Sequence, residues 1–271
     1  MRTLLRRKGV GVLKLKDKVI VVTGGASGIG EACSRKFKTA GAKVVVVVDR
    51  NAEGAKRVAD EIGGVAMTAD VASEADIIRV INDTETQFGP IDLFFSNAGI
   101  GIPDGETAAG ASNEAWQNIW EINVMSHVYA ARALLPKMIE RGEGYLLSTA
   151  SAAGLLSQIG SAGYSVTKAG AVAFAENISI MHGDQGVKVS VFCPQAVLTE
   201  MTRNSQGGGV AGVDGMMQAD EVADIVVDGI DAETFLILSH PEVQTYMERK
   251  IGDRDRWIGG MRRLRDRFLK K

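Results

Sequence analysis

The sequence predicts an α/β protein built on a doubly wound parallel sheet with helices on both faces. Short apolar runs typical of strands alternate with helical segments along most of the 271 residues. The run at 43–48 is apolar after its first residue rather than alternating, which is typical of a parallel strand covered on both faces. A glycine-rich segment, 24–30, lies between the first strand and the first helix. Repeated strand–helix–strand units with right-handed crossovers give one open sheet.

The individual elements are predicted as follows. Strands are expected at 18–23, 43–48, 65–68, 91–95, 144–148, 188–192 and 235–238. Helices are expected at 31–40, 52–62, 74–88, 114–141 with a break, 164–183 and 220–230. Gly41 closes the first helix. No internal repeat or linker divides the sheet, so one domain is expected.

The composition also fits one large domain. Hydrophobic residues make up 45% of the chain and charged residues 24%, and the formal net charge is -2. This balance gives no reason to expect a nucleic-acid partner. Cys33 and Cys193 are the only cysteines, which fits a reducing compartment. His127, His182 and His240 are scattered without metal-ligand spacing, so no metal site is predicted.

The terminal segment and the apolar runs bear on localisation. Residues 1–16 are basic, lack an apolar run long enough for a signal peptide, and are expected to form a loose arm. The longest uninterrupted apolar stretch, 44–48, is far too short to span a bilayer. We therefore expect a cytoplasmic protein. A mitochondrial presequence is the alternative for the basic, acid-poor arm.

The glycine-rich segment has the features of a phosphate-binding turn. Gly24, Gly28 and Gly30 let the backbone turn sharply and approach a pyrophosphate, whose charge the helix N-terminus favours. Ser27 and Ile29 occupy the positions between them. An ordinary glycine-rich turn is the alternative, but the position between a strand and a helix favours phosphate binding.

A tyrosine and a lysine are the main catalytic candidates. Tyr164 and Lys168 lie four residues apart on a predicted helix, so they share one face about one turn apart. An ammonium held there favours ionisation of the phenol, which proton exchange with an alcohol near neutral pH requires. Lowering a phenol pKa of ~10 by three units takes about 4 kcal/mol. One cation at ~4 Å, in an effective dielectric near 20, supplies about that much.

Further motifs follow the predicted strands in order. They are Asp70-Val71 after the third strand, Asn97-Ala98-Gly99 after the fourth, Asn123 in the next helix, Ser151 to Gly154 after the fifth, and Pro194 with Thr199 after the sixth. With the glycine turn and the Tyr164/Lys168 pair, this order resembles the short-chain dehydrogenase/reductase family over about residues 15–238. The resemblance implies a single-domain Rossmann-like fold. It also implies an oxidoreductase that exchanges hydride between a nicotinamide cofactor and an alcohol or ketone.

The resemblance assigns catalytic roles to four side chains. Tyr164 would be the general acid or base on the substrate oxygen, and Ser151 would hydrogen-bond that oxygen. Lys168 would act beside the tyrosine, together with the positive nicotinamide ring, and would bind the ribose hydroxyls. Asn123 would position a water between Lys168 and solvent. The alternatives are a buried structural tyrosine, a helix cap for Ser151 and an ordinary polar helix residue for Asn123.

The resemblance also assigns a set of cofactor-binding residues. Asp70 would contact the adenine amino group, Asn97 and Gly99 would flank the adenine ribose, and Thr199 would hydrogen-bond the nicotinamide carboxamide. A carboxylate at a helix start is the alternative for Asp70. The full set is Gly24, Ser27, Gly28, Ile29, Gly30, Asp49, Arg50, Asp70, Val71, Asn97, Ala98, Gly99, Tyr164, Lys168, Pro194, Val197 and Thr199.

The end of the second strand bears on the choice between NAD and NADP. An acidic residue there accepts from the ribose hydroxyls and repels a 2′-phosphate. Asp49, followed by Arg50, is the candidate and favours NAD. However, when the sequence is aligned with the family at Gly24 and Gly41, the position that is usually acidic in the family falls on Val48. Because successive strand residues point to opposite faces, that one-residue difference matters.

The substrate side is less constrained by motifs. Gln195 follows Pro194, where family members usually have glycine, and would reshape the nicotinamide loop or reach into the pocket. The substrate-binding candidates are Ser151, Gln158, Tyr164 and Gln195. The presumed wall is formed by residues between Ser151 and Tyr164 and by a flexible lid near 199–218. No arginine pair lies among these residues to hold a carboxylate or phosphate, although Arg203 lies in the lid. We therefore expect a largely apolar secondary alcohol or ketone.

The tail beyond the common fold, 241–271, is predicted to be a helical extension of the 17–240 catalytic domain. One apolar stripe is expected along a helix here, formed by Trp257, Ile258, Met261, Leu264 and Phe268, and basic residues cover much of the rest. Packing on a neighbouring subunit or on the pocket mouth is the preferred interpretation, and binding to an anionic membrane is the alternative. By resemblance, a homodimer or homotetramer is expected.

Two other functions remain open at this level. A catalytically silent nucleotide-binding regulatory or scaffold protein would keep the fold, although Ser151, Tyr164 and Lys168 argue against it. A sugar-nucleotide epimerase shares the tyrosine–lysine spacing, but those relatives are longer and have a different glycine spacing.

Overall fold

The computed structural model describes residues 15–203 and 206–269. Within them, seven parallel strands form one sheet in the order β3-β2-β1-β4-β5-β6-β7. The strands are β1 (Val19–Thr23), β2 (Val44–Asp49), β3 (Val65–Thr68), β4 (Leu93–Ser96), β5 (Gly144–Thr149), β6 (Val187–Cys193) and β7 (Leu236–Leu238). The predicted fold class is therefore confirmed. Most of the predicted N-terminal arm, residues 1–14, lies outside the described residues.

Helices cover both faces of this sheet. They are α1 (Gly28–Thr39), α2 (Ala52–Ile62), α3 (Glu74–Phe88), α4 (Asn113–Trp120), α5 (Ser126–Arg141), α6 (Ala152–Leu156), α7 (Ala162–His182), α8 (Ala219–Asp231), α9 (Glu242–Gly252) and α10 (Arg254–Leu269). The expected break within 114–141 is a π-helical turn, Glu121–Met125, that joins α4 to α5. Helix α1 begins inside the glycine-rich segment rather than after it. The short helix α6 was not predicted, whereas α9 and α10 lie within the predicted helical extension.

The core explains the uninterrupted apolar run of β2. Val44, Val46 and Val48 pack into one buried cluster, and Val45 and Val47 into the cluster on the opposite face. Because side chains alternate along a strand, a strand covered on both faces needs an apolar residue at every position.

The order of the strands determines where a cleft forms. The chain moves outward from β1 to β2 and β3, then returns to place β4 on the other side of β1. Ligands bind outside the carboxyl ends of the strands at such a switch point. After β6 the chain leaves the sheet in a segment whose two ends are joined by an isolated β-bridge between Val197 and Met217. Residues 204 and 205 of this predicted lid lie outside the described residues.

The C-terminal extension packs near the same edge of the sheet. Helix α9 contacts α6, and α10 contacts both α9 and the turn segment Gln206–Gly212. Within residues 15–203 and 206–269, no helix combines the length and the apolar character needed to cross a membrane.

Candidate active site

A cleft of about 770 Å³ lies at the carboxyl edge of the sheet. Nearly all of the predicted cofactor residues line it: Gly24, Ser27, Gly28, Ile29, Asp49, Arg50, Asp70, Val71, Asn97, Ala98, Gly99, Tyr164, Lys168, Pro194, Val197 and Thr199. Gly30 does not line the cleft but lies buried beneath it, where an added Cβ would overlap the Gly24 carbonyl oxygen.

The glycine turn leaves room for a phosphate. Gly24 and Gly28 have φ angles of +64° and +54°, a region that favours glycine. A Cβ on Gly28 would lie 3.1 Å from Thr199 Cγ2, so a side chain at this position would fill the space between the turn and the lid. The Ser27 side chain does not cap α1, which leaves first-turn N–H groups directed toward the cleft. These features fit the pyrophosphate of a dinucleotide.

Asp49 reaches the cleft, whereas Val48 does not. The Asp49 carboxylate accepts from the N–H groups of Ala26, at 3.1 Å, and of Asn51, at 2.9 Å. The Val48 side chain is fully buried in the core. The acidic side chain at the end of β2 therefore lies beside the glycine turn, and the exposed Arg50 lines the same cleft.

Asp70 shapes a turn and also lines the cleft. Its carboxylate accepts from the Ala72 N–H at 2.9 Å, so it does shape the turn before α3. Ser73, not Asp70, caps that helix. Asp70 and the following Val71 nevertheless both line the cleft.

Asn97 ties three strand ends together beneath the cleft. Its side-chain amide donates to the carbonyl oxygens of Thr23, at 3.0 Å, and Gly24, at 3.3 Å. Its Oδ1 accepts from the Thr149 hydroxyl at 3.0 Å. The Thr149 carbonyl oxygen also accepts from the Lys168 ammonium at 2.9 Å. Thr149 is the last residue of β5, two residues before Ser151, and this position was the available sequence signal.

Ser151, Tyr164 and Lys168 meet at this edge of the sheet. Ser151 accepts from the Ala153 N–H at 3.1 Å, so it caps α6 while also hydrogen-bonding the Tyr164 side chain. Tyr164 lies in the first turn of α7, and the Lys168 Nζ is 5.6 Å from the centroid of its ring. The Lys168 side chain is only 2% exposed.

Burial dominates the electrostatics of this group. It lowers the pKa of Lys168 to about 8 and raises the pKa of Tyr164, although the hydrogen bond from Ser151 opposes the latter shift. In the protein without its cofactor the lysine alone therefore does not lower the phenol pKa, and the expectation that Lys168 and the nicotinamide ring together lower it stays a prediction. A further positive charge near the phenol is needed to reverse the shift.

Asn123 lies behind the cleft in the π-helical turn and is fully buried. Its amide exchanges hydrogen bonds with the backbone N–H and carbonyl of Ile100, both at 2.9 Å, and donates to the Thr167 hydroxyl at 3.1 Å. A Cβ on Gly99 would lie 3.2 Å from Asn123 Oδ1 and 3.1 Å from Lys168 Nζ. The two polar groups thus flank Gly99, and π turns recur at functional sites.

The remaining candidates do not join the site. Burial, with the nearby Lys168 charge, lowers the pKa of His127 to about 3, so this histidine is neutral near pH 7. Its Nδ1 is 3.1 Å from the Ser148 hydroxyl oxygen. Trp116 and Trp120, four residues apart in sequence, line neither cavity.

A second cavity, of about 940 Å³, adjoins the cleft. Ser151, Gln158, Gln195 and Ala211 line both, so the second cavity leads to the catalytic candidates. Leu156, Ser157, Val210, Val213 and residues of α9 and α10 complete its wall. Four arginines are among them: Arg249, Arg256, Arg263 and Arg267. These arginines belong to the C-terminal extension, which forms a part of the wall that the presumed wall residues did not include.

Gln195 links the two cavities to the extension. Its Nε2 donates to Asp214 at 2.8 Å, and the Tyr246 hydroxyl donates to the other oxygen of the same carboxylate at 2.8 Å. The Gln195 backbone N–H donates to the Ser239 hydroxyl at 3.0 Å. Its Oε1 is buried and has no hydrogen-bond partner within residues 15–203 and 206–269. Gln195 therefore both shapes the loop after β6 and lines the pocket.

Comparison with known proteins finds that this chain is similar to short-chain dehydrogenases and reductases. The family model for short chain dehydrogenase matches residues 18–208. A 1-deoxy-11-beta-hydroxypentalenate dehydrogenase of Streptomyces exfoliatus is 32% identical over 89% of this chain and 90% of its own length. A short chain dehydrogenase/reductase from Burkholderia phymatum, solved with NAD, is 25% identical, with a TM-score of 0.82 over 90% of this chain and 96% of that one. A 3-ketoacyl-(acyl-carrier-protein) reductase from Brucella melitensis, solved with NADH, is 28% identical, with a TM-score of 0.76 over 83% and 97%.

Proposed function

The chain belongs to the short-chain dehydrogenase family of oxidoreductases, and we propose that it exchanges hydride between NAD(H) and a largely apolar secondary alcohol or ketone. One observation carries the proposal. Ser151 lines both a dinucleotide-sized cleft and a second, partly apolar cavity, and Tyr164 and Lys168 line the cleft close to each other. An alcohol bound where the two cavities meet, at Ser151, would lie next to the cleft that holds the acid–base group and the cofactor.

Tyr164 exchanges the proton of the substrate oxygen. In the oxidative direction, its phenolate accepts the hydroxyl proton while the C–H bond at the same carbon breaks. In the reductive direction, the phenol donates that proton to the oxygen. Ser151 hydrogen-bonds the substrate oxygen and stabilises the charge that develops on it. The bound nicotinamide supplies the hydride acceptor or donor.

Lys168 holds its charge beside the tyrosine and can reach the ribose hydroxyls. With a pKa of about 8, it is mostly protonated near pH 7. The Thr149 carbonyl oxygen fixes its position, and Asn123 lies close enough across Gly99 to hold a water that connects the lysine to solvent. We assign Asn123 to that role because its buried amide keeps Ile100 and α7 in place.

The position of Asp49 supports NAD over NADP. Its carboxylate is fixed at the cleft by two backbone N–H groups and would repel a 2′-phosphate. We expect kcat/KM to be at least tenfold higher with NAD than with NADP, and Asp49→Ala to reduce this ratio. A clear preference for NADP in the unaltered enzyme would remove Asp49 from this role.

An absorbance screen at 340 nm tests the reaction itself. The full chain is supplied with NAD or NADP and a panel of secondary alcohols, and with the reduced cofactors and a panel of ketones. We expect turnover that Tyr164→Phe lowers by at least a thousandfold, with cofactor affinity retained. Tyr129→Phe, which removes a hydroxyl that bonds Glu121 at 2.8 Å outside the cavities, is the matched control.

The same screen separates the enzyme from a catalytically silent scaffold. Cofactor binding without turnover across the whole panel would favour the scaffold. Turnover that survives in Tyr164→Phe would contradict the acid–base assignment.

We further propose that the protein is a cytoplasmic homo-oligomer, as the family resemblance implies. Light scattering during size-exclusion chromatography measures its mass, and a monomer mass at micromolar concentration would contradict the assembly. Microscopy of the tagged full chain tests the compartment.

A further inference from the structure

The C-terminal extension brings a cluster of positive charge to the substrate side of the site. Arg249 on α9 and Arg256, Arg263 and Arg267 on α10 line the second cavity. Asp253 is the acidic residue of this wall, and its carboxylate accepts the Arg256 backbone N–H at 2.9 Å. The wall therefore carries a net positive charge.

The cavity-lining arginines of α10 lack ionic partners in the described part of the chain. No carboxylate of residues 15–203 or 206–269 forms an ion pair with Arg256, Arg263 or Arg267. On the same helix, Arg265 does not line the cavity and pairs with Asp266 at 2.7 Å. Arg254 and Arg262 of α10, which do not line the cavity, likewise form no ion pair with a carboxylate of the described residues. The cavity nevertheless presents three guanidinium groups of α10 that no described carboxylate neutralises.

Glycines of α10 leave the backbone open beside one of these guanidinium groups. A Cβ on Gly259 would lie 3.7 Å from one terminal nitrogen of Arg263, and a Cβ on Gly260 3.8 Å from the other. The Arg263 side chain therefore lies back along its own helix at the cavity, where its planar donors can face a ligand.

Apolar side chains share this cavity with the arginines. Leu156, Val213, Trp257, Met261 and Leu264 also line it, and Ser151 lines both this cavity and the cofactor cleft that Tyr164 lines. The cavity thus combines a catalytic candidate, apolar side chains and the guanidinium groups of α10. This combination suits a molecule with a reacting alcohol or ketone, an apolar body and a negative charge.

We propose that the substrate carries an oxyanion, a carboxylate or a phosphate monoester, that Arg256, Arg263 and Arg267 bind while Ser151 and Tyr164 act on its alcohol or ketone. Guanidinium groups bind such oxyanions through paired, charge-assisted hydrogen bonds. This inference rests on the proposed function and specifies the substrate class of the same site.

The test uses matched pairs of alcohols that differ only in charge. The probes are 4-hydroxycyclohexanecarboxylate and lithocholate, their uncharged methyl esters, and 4-hydroxycyclohexyl phosphate. Turnover by the full chain is measured at 340 nm, and binding is measured by isothermal titration calorimetry. The variants are Arg263→Gln, Arg267→Gln and the double variant. Arg262→Gln is the matched control, because Arg262 is exposed on α10 but does not line the cavity.

We expect at least one acid or the phosphate to be preferred over the uncharged ester by tenfold or more in kcat/KM. Each cavity variant should lower that preference about tenfold, mainly by raising KM for the anion. A tenfold change corresponds to about 1.4 kcal/mol. The esters and the Arg262→Gln control should change by less than twofold. Because exposed charges are screened, 0.5 M NaCl should raise KM for the anion and not for the ester. A preference for the acids identifies a carboxylate, and a preference for the phosphate identifies a phosphate monoester.

The contrary outcomes separate this inference from the proposed function. Equal use of acid and ester, or equal losses for both in the arginine variants, overturns the anionic substrate and leaves the dehydrogenase intact. The anionic substrate is also overturned if the enzyme turns over other neutral alcohols but neither turns over nor binds any anionic probe in calorimetry. If no alcohol or ketone is turned over, the proposed function fails. In that case, binding of an anion that Arg263→Gln and Arg267→Gln abolish still supports the arginine site, and absence of binding rejects it.

Discussion

The two sides of the active site are built in opposite ways. On the cofactor side, buried backbone and short polar side chains are locked together, as in the bonds from Asn97 to Thr23, Gly24 and Thr149. On the substrate side, long exposed side chains of α10 reach across a cavity, and few fixed contacts hold them. The comparison indicates that the reaction is specified by rigid geometry near the sheet, whereas substrate choice is specified by a separate segment added to it.

The largest effect is expected where the cofactor side is most tightly packed. In Gly30→Ala, the added methyl would overlap the Gly24 carbonyl oxygen and lie 2.6 Å from Asn97 Nδ2. Since these groups are fixed backbone and a bonded amide, we expect about 3 kcal/mol of lost stability and loss of dinucleotide binding. Urea unfolding and a cofactor titration measure the two effects.

Gly183→Ala is the control for that substitution. Its φ is −58° and nothing lies within 4 Å of the added methyl group. It should leave stability within about 0.5 kcal/mol of the original value. If Gly30→Ala behaved like this control, the cofactor side would not be the rigid half of the site.

The next effect concerns the buried charge of Lys168. Its pKa is about 8 in the folded protein and near 10.5 when exposed. Below pH 8 both folded and unfolded states bind the proton, so the cost of burying the charge is constant. Between pH 8 and 10.5 only the unfolded state keeps the proton, so this cost to stability disappears as pH rises.

Lys168→Met isolates that cost. We expect the free energy of unfolding of the variant, relative to the original protein, to fall by up to about 3 kcal/mol between pH 7.5 and 10.5. Groups that titrate alike in both proteins, among them Cys33 and Tyr145, contribute equally to the two free energies of unfolding, so their contributions cancel in this difference. Urea unfolding across this pH range measures it, and a difference independent of pH would mean that Lys168 is not charged and buried in the folded state.

A smaller effect is expected at the contact between the lysine and the asparagine. In Gly99→Ala, the methyl would press on Lys168 Nζ and Asn123 Oδ1, at 3.1 and 3.2 Å. Both side chains can give way slightly, so the fold should persist while the lysine shifts. We expect kcat to fall about thirtyfold, which is about 2 kcal/mol, with stability changed by less than about 1 kcal/mol. Stopped-flow kinetics with the best substrate of the screen provides the measurement, and an unchanged kcat would reject the role of this contact.

The same contrast explains what the sequence could predict. The glycine turn, Asn97 and the Tyr164/Lys168 pair were recognisable because backbone approach and proton chemistry demand particular residues at particular spacings. The pKa of Tyr164 in the protein without its cofactor could not be predicted, because a sequence does not state how deeply a side chain is buried. A helix cap was the alternative considered for Ser151, and the structure shows that cap, but α6 itself was not predicted because it is only five residues long and has no readable period.

The substrate side was predicted poorly for a different physical reason. The apolar stripe at Trp257, Met261 and Leu264 identified a helix and its buried face, but a stripe does not reveal which surface covers it. The arginines of α10 lie about one hundred residues beyond Ser151, so only tertiary packing brings them to the same cavity. Gln195 stood out as a departure from the family pattern, and its bond to Asp214 gives that departure a structural consequence.

The smallest effect should come from loosening the link between the two sides. The Tyr246 hydroxyl and the Gln195 amide bind the two oxygens of Asp214, each at 2.8 Å, and so connect α9 to the loop after β6. Tyr246→Phe removes one of these bonds and leaves Gln195 attached to a carboxylate that is held less firmly. Because a bond of this kind contributes about 1 kcal/mol, we expect KM for the alcohol to rise about fivefold, with kcat and the cofactor KM unchanged. Tyr129→Phe removes a comparable tyrosine–carboxylate bond away from the cavities and should change none of these constants. A fall in kcat in Tyr246→Phe would mean that the extension takes part in the chemical step, and the division between a reacting half and a recognising half would no longer hold.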